Sequence, residues 1–409
     1  MELRKELTER FIRYISIPTQ SQLGTGKVPS TDSQWDYAKL LQKELEQLGF
    51  ENIKLNEHCI VTAKLKGNCD AEAIGFVSHL DTVDVSLSPV VKPQIIKYQG
   101  GDVVLNEKEN ITISLKDHPE LNDYVGDDIV FTDGTSVLGA DNKAAAANIM
   151  TAFAYLKEHP EVKHGDIYVA FVPDEEIGLC GSKLLDLNEF KPVYAYTIDS
   201  CALGEIVYET FNAGSVKVEI EGISAHPMSA KGVLVNPLLV AHDFIGMFDR
   251  LQTPEHTDKK DGYWWFVGIK SDPLFCTVNM HIRDFDKNNY QKRKEFILNA
   301  IEKLKTMHPK AKISVSIEDV YENISNNVNV DAKPIALLYK ACEELNIKPK
   351  TIAMRGGTDG SALSAKGLVT PNYFTGAHNF HSYAEFLPLS SLEKSCLTTL
   401  KLIELFAKA

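Results

Sequence analysis

Apolar residues recur at Leu3, Leu7, Phe11 and Ile15, a spacing that lays one stripe along a helix. A polar Gly/Ser/Thr stretch, Thr19 to Asp32, reads as a loop, and Trp35 to Leu48 as a second amphipathic helix stopped by Gly49. Asn52 to Leu65 predicts a strand pair. Three later stretches are continuously apolar: Ala73 to Val77, Ile167 to Val172, and Val193 to Ile198 with its tyrosines. Each predicts a buried strand. Between the first two lie a long polar excursion, Asp84 to Asp128, with short strands around Gln94 to Tyr98, and a strong helix from Ala144 to Leu156. Gly181 to Leu187 suits a short helix.

From about Phe211 the texture changes. Ser215 to Glu221 alternates like a half-exposed strand. Asn236 to Leu251 is a helix, Leu274 to Ile282 a strand, Asn288 to Met307 a helix and Ile313 to Asp319 a strand. Past Asn323 come a helix from Pro334 to Leu345, a short strand from Pro371 to Thr375 and a closing helix from Ser390 to Lys408. At 409 residues the chain exceeds the usual single domain. The expected fold is α/β with a mixed sheet: a catalytic domain in two parts, 1–210 and 323–409, carrying an inserted α+β domain, 211–322.

Composition narrows the partners. The chain is 44% hydrophobic and 24% charged, as ordinary globular proteins are. Its net charge of -13 argues against nucleic acid or an anionic membrane. No apolar run is long enough for a bilayer, and the N-terminus lacks a signal-peptide core. Cysteines 59, 69, 180, 201, 276, 342 and 396 are odd in number and form no C-x-x-C pair. They fit free thiols in a reducing cytoplasm and give no thiolate zinc site.

The chemistry gathers where the buried strands end. Ile167 to Val172 stops at Pro173, and Asp174, Glu175 and Glu176 follow at once. Like charges so close repel unless a cation or a proton lies between them. A solvated turn is the plain alternative for this triplet alone. His79 and Asp81 form an H-x-D pair after the first strand, and residues two apart in extended chain share a face. A carboxylate behind a metal-bound imidazole fixes its orientation. Asp141 sits at a helix start, where an N-cap is the ordinary role. Asp199 ends the third strand, and the carboxyl edge of an open sheet is where ligands bind. Imidazole and carboxylate without thiolate suit zinc, with manganese or cobalt as alternatives. The donors divide between two ions bridged by Asp141: His79 and Asp199 on one, Glu176 and His381 on the other, with His378 competing for the last place. Glu175, left over, is the expected general base.

These residues carry a resemblance. Ser78-His79-Leu80-Asp81-Thr82, Gly139-Ala140-Asp141-Asn142-Lys143-Ala144, Pro173 through Gly178, Thr197-Ile198-Asp199 and Asn379-Phe380-His381 resemble the motifs of the co-catalytic zinc peptidases and acylases. His226-Pro227, Ala230-Lys231-Gly232, Ile282 through Asp286 and Arg355 through Gly360 extend the likeness over the whole chain, and the Gln94 region, the Ile282 to Asp286 run and the length of the excursion point toward the tripeptide aminopeptidases of that family. The resemblance implies two zinc ions per subunit on the ligands above, Asp81 orienting an imidazole, Glu175 catalytic, and a cis peptide between Asp141 and Asn142. It implies that the inserted domain is a lid and dimerisation domain, making a homodimer that acts on small peptides. His226 would then stabilise an oxyanion from the partner subunit, Arg355 would hold a substrate carboxylate, and Arg283 and Asn323 are further substrate candidates. The chain departs from the family pattern at Asn142, often aspartate, and at Ser200 and Cys201, usually glycines; Cys201 is thereby a candidate for oxidation. The competing readings are a dipeptidase, carboxypeptidase or N-acyl-amino-acid hydrolase on the same site, and a metal-binding protein without catalysis.

Overall fold

The computed structural model describes residues 2–328 and 331–408. They form two compact units: Met1–Tyr208 with Asn327–Ile352 and Thr358–Ala409, and Glu209–Asn326 with Ala353–Gly357.

The first unit is built on an eight-stranded mixed sheet. Its strands run in the order Glu51–Leu55, Val61–Leu65, Ile167–Val172, Ile74–His79, Tyr194–Ser200, Asn372–Phe374, Glu205–Glu209 and Lys350–Ala353. The four strands from Ile167–Val172 to Asn372–Phe374 are mutually parallel, and antiparallel neighbours flank them. Ile74–His79 and Ile167–Val172 are buried at every position, which is why they read as unbroken apolar runs. His79 stands opposite Val172, so their carboxyl ends are level and the chemistry that follows each strand meets at one edge.

The helix Ala140–Glu158 packs on this sheet between the helices Leu3–Ile15 and Leu389–Lys408. Ala144, Ala145, Ala146 and Ala147 are all fully buried, so the helix is enclosed around its circumference there. Small side chains there let neighbouring backbones approach closely.

The excursion has a structure of its own. Pro93–Lys97 pairs with Asp128–Thr132, which pairs on its other side with Leu387–Pro388; Val103–Asn106 and Ile111–Ile113 form a hairpin. Tyr98, Leu105, Ile113, Leu121 and Phe131 make a small core with Ala384 and Phe386. The excursion therefore buttresses the segment just after His381.

The second unit is a four-stranded antiparallel sheet, Tyr263–Ser271, Phe275–Asp284, Asn212–Glu221 and Lys312–Tyr321, with the helices Pro237–Ile245 and Lys287–Met307 packed against it. Alternate residues such as Val216, Val218 and Ile220 point into its core. Periodicity misses the strand Tyr263–Ser271 because Trp265, Val267 and Ile269 are exposed and remove the usual contrast between faces. The first helix ends at Ile245, not Leu251, with Gly246 as its C-cap. Ala353–Gly357 clusters with this unit, whereas the sequence reading keeps it with the first. The cause is Arg355, which donates to the carbonyls of Lys259 (3.1 Å) and Asp261 (3.0 Å) and lies over the rings of Phe211 and Tyr263.

Phe153 packs against the rings of Phe50 and Phe76, with centroids 4.7 and 6.5 Å away. Phe153→Ala is expected to cost the first unit about 3–5 kcal/mol, read from its denaturant midpoint. A loss below about 1 kcal/mol would mean that this core collapses around the cavity.

Candidate metal centre

The carboxyl edge of the parallel strands brings the five expected metal donors together. His79 closes its strand with Nε2 2.9 Å from Oδ1 of Asp141 and 3.6 Å from Oδ1 of Asp199. His381 places Nε2 3.1 Å from Oδ2 of Asp141 and 3.0 Å from Oε1 of Glu176. The two oxygens of Asp141 thus face two imidazoles, with one further carboxylate on each side. Its carboxylate does not cap the following helix; the N-cap position is Gly139, and the Asp141–Asn142 peptide is cis. His378 is no competitor for this place. Its Nε2 hydrogen bonds with Tyr124 Oη at 2.7 Å, and its ring stacks on Phe386.

The donor set fits a divalent cation. Glu176 Oε1 is buried without a hydrogen-bond partner among the described residues: it lies 3.0 Å from His381 Nε2, but not in hydrogen-bonding geometry. An orphaned anionic oxygen among other carboxylates is a place for positive charge. His79, Asp141 and Glu176 each offer a ligand atom, all within 4.8 Å of one another. Nitrogen and oxygen donors without thiolate match zinc, manganese or cobalt chemistry.

Electrostatics on the protein groups alone show the crowding. Burial, reinforced by the Asp141 charge, pushes Glu176 up to about 7 and Asp199 up to about 6. Burial also raises Glu175 well above the usual carboxylate range, with Asp199 and Glu176 adding to it against the pull of His79. For Asp141 burial acts in the same direction, but the hydrogen bonds of His381 and His79 together outweigh it and hold the carboxyl below its ordinary value. The side chain of His79 is 1% exposed and that of His381 45%, so the cluster opens toward solvent on the His381 side.

Other carboxylates act as fasteners. Asp81 is fully buried and accepts the N–H groups of Glu175 (2.9 Å) and Glu176 (3.2 Å), which fixes the turn that carries both. Its carboxylate stands 3.4 Å from His79 Nδ1, while its own carbonyl is nearer, at 2.9 Å. The carbonyl and the carboxylate of Asp81 thus both face Nδ1 of the imidazole. Asn142, where the family often has aspartate, donates to Asp199 Oδ1 at 2.6 Å and receives Ser78 Oγ at 2.8 Å. Asp174 accepts from Ser30 N–H, Ser30 Oγ and Gln34 Nε2 at 2.6–2.7 Å, tying the Thr19 to Asp32 loop to the acidic turn. Asp174, Asn379 and His381 all adopt left-handed backbone, a clustering of uncommon conformers typical of functional loops.

Two buried acids escaped the sequence reading. Glu385 accepts four backbone N–H groups, from Leu138 through Asp141. Burial pushes its carboxyl up to about 8, with the Asp141 charge adding to this against the pull of the N–H donors. The available signal was a lone acid inside the apolar run Ala384 to Leu387. Asp359 is 2% exposed, and burial raises it to about 7, with the charges of Asp199 and Asp81 adding and His79 opposing. The sequence reading took only Arg355 from that turn.

Ser200 and Cys201 are accommodated without displacing Asp199. The Ser200 carbonyl receives Thr375 N–H and that of Cys201 receives Gly376 N–H, which aligns the turn leading to His381. Burial, then the charges of Glu205, Asp141 and Asp199, push the Cys201 thiol up.

The four substrate candidates belong to the second unit. His226 is exposed and accepts Met228 N–H on Nδ1, and Nε2 has no partner among the described residues. Arg283 donates to the carbonyls of Gly214 and Ile282 and lies over Tyr321. Asn323 is 2% exposed; its oxygen accepts from Thr210 and Ser325 N–H, and its amide donates to Phe285. Its side chain is spent inside its own unit. Arg355 makes the carbonyl contacts above and donates Nη2 to Thr257 at 2.8 Å, while Nε has no partner among the described residues.

Comparison with known proteins agrees with this geometry. Residues 139–405 match peptidase family M20/M25/M40. The chain is 50% identical over 408 residues to a peptidase T-like protein of Yersinia pestis, covering 100% of this chain and 99% of that one. It is 41% identical over 405 residues to peptidase T of Fusobacterium nucleatum, covering 98% of both. In structure it resembles a tripeptidase from Staphylococcus aureus, with a TM-score of 0.78, 19% identity and 99% of each chain covered. The chain belongs to peptidase family M20/M25/M40.

Proposed function

We propose that the chain is a two-zinc aminopeptidase that removes the N-terminal residue from tripeptides. The observation that carries this reading is one carboxylate, Asp141, with an imidazole on each of its oxygens; Glu175 lies within the influence of His79, Asp199 and Glu176. Its peptidase T and tripeptidase relatives support the substrate class.

In this reading His79 and Asp199 hold one cation, Glu176 and His381 the other, and Asp141 both. Bound there, the two ions supply Lewis acidity to a substrate carbonyl and lower the pKa of water. Glu175 takes the proton from the attacking water and returns it to the leaving amine. Asp81 keeps Glu175 aimed through their backbone hydrogen bond. His226, with Nε2 free, is the proposed oxyanion donor, and Arg355 the proposed anchor for the peptide carboxylate through Nε. Arg283 and Asn323 act instead in holding their unit together.

The enzyme is a homodimer in this reading. The edge strand Tyr263–Ser271 presents Trp265, Val267 and Ile269 at 42–49% exposure, an unpaired apolar edge suited to a second copy. Seven free cysteines suit the cytoplasm, and among the described residues no helix is long and apolar enough to cross a membrane.

Glu175→Gln is expected to retain both ions and lower kcat by about 10²–10⁴-fold. Turnover near wild type would assign the base elsewhere. A tripeptide, its dipeptide, its tetrapeptide and its N-acetylated form separate the readings by product analysis. Release of the first residue from the tripeptide alone is expected; hydrolysis of the acetylated peptide would make the enzyme an acylase or carboxypeptidase.

A further inference from the structure

We propose that Glu385 is a positioning residue of the metal centre: its buried carboxylate holds residues 138–141 so that Asp141 stands between His79 and His381. The inference rests on the two-metal reading above.

Glu385 is 1% exposed. Its Oε2 accepts Leu138 N–H at 2.7 Å and Gly139 N–H at 2.9 Å; its Oε1 accepts Ala140 N–H at 2.8 Å and Asp141 N–H at 3.3 Å. Four consecutive donors on one side chain need two oxygens with two lone pairs each, which only a carboxylate offers.

Nothing local can take over this work. The first N–H groups of a helix have no partner within it. The N-cap position here is Gly139, in left-handed backbone and with no side chain to accept them. Asp141 and Asn142 depart from helical angles, so the helix does not by itself set the direction of the Asp141 side chain. Asp141 faces the two imidazoles and leaves its own N–H to Glu385.

The position of Glu385 makes it more than a remote cap. It lies four residues after His381, between Ala384 and Phe386, both fully buried in the core shared with the excursion. One anchored side chain therefore couples the loop bearing one imidazole to the segment bearing the shared carboxylate. Displacing it alters the distances of Asp141 to both histidines together.

The test uses full-length wild type, Glu385→Gln, Glu385→Asp and, as a destabilised control distant from the edge, Phe153→Ala. Each is stripped of metal, its unfolding midpoint is recorded, and zinc is titrated against a chromophoric chelator. Wild type is expected to take up two ions. Glu385→Gln, which turns an NH₂ toward two N–H donors, is expected to bind zinc about 10–100-fold more weakly, with Glu385→Asp intermediate. Phe153→Ala is expected to unfold earlier yet bind as wild type does. Folded Glu385→Gln with wild-type affinity, or zinc affinity that merely follows stability in all variants, would overturn the inference. If Glu385→Gln does not fold, Glu385→Asp decides on the same criteria. A wild type that takes up fewer than two ions overturns the two-metal reading and this inference with it; an indifferent Glu385 in a two-ion protein overturns this inference alone.

Discussion

Carboxylates held together against their mutual repulsion are the constraint on which this structure turns. Asp81, Asp141, Asp174, Glu175, Glu176, Asp199, Asp359 and Glu385 all lie along one edge of the sheet or in the loops that close over it. Each fastener has its own source of compensation. Asp174 draws on Ser30 and Gln34, Asp81 on the N–H groups of its neighbours, Glu385 on the start of a helix. Asp199 is steadied by Asn142 Nδ2, and its N–H is held by Asn372. What remains uncompensated by hydrogen bonds among the described residues is the oxygen of Glu176 that faces His381, together with Oδ1 of Asp359.

The scaffold makes this affordable. Parallel strands with level carboxyl ends deliver three side-chain groups to one place without long loops. A helix of buried alanines lets the Asp141 segment approach the sheet, and the excursion clamps the turn that brings His381 from the far end of the chain. Asn379 Nδ2 donates to Glu120 of the excursion at 2.8 Å beside that turn. The decoration between Asp84 and Asp128 is thus part of the site's support.

Much of the site was legible in the sequence because buried parallel strands leave a plain signature, an apolar run broken suddenly by acids or histidine. His79, Glu175, Glu176 and Asp199 stand where such runs end. Asp141 and His381 came from counting donors for two ions, against the ordinary alternatives of a helix-start aspartate and a competing His378, and the family motif implied the same set. Glu385 and Asp359 were illegible for a physical reason: their partners are backbone N–H groups or distant charges, and 246 residues separate Glu385 from Gly139. The strand Tyr263–Ser271 was hidden because its outer face is apolar too. Arg355 was placed with the wrong unit, because carbonyl partners near Lys259 leave no mark on sequence pattern.

The central claim is that Asp141 is shared by two cations. Anomalous diffraction from crystals grown with zinc, recorded at the zinc edge, tests it directly. The account predicts two peaks roughly 3.5–4 Å apart, one against His79 and Asp199, the other against Glu176 and His381, with an Asp141 oxygen on each. A single peak, or two peaks of which only one touches Asp141, would contradict it.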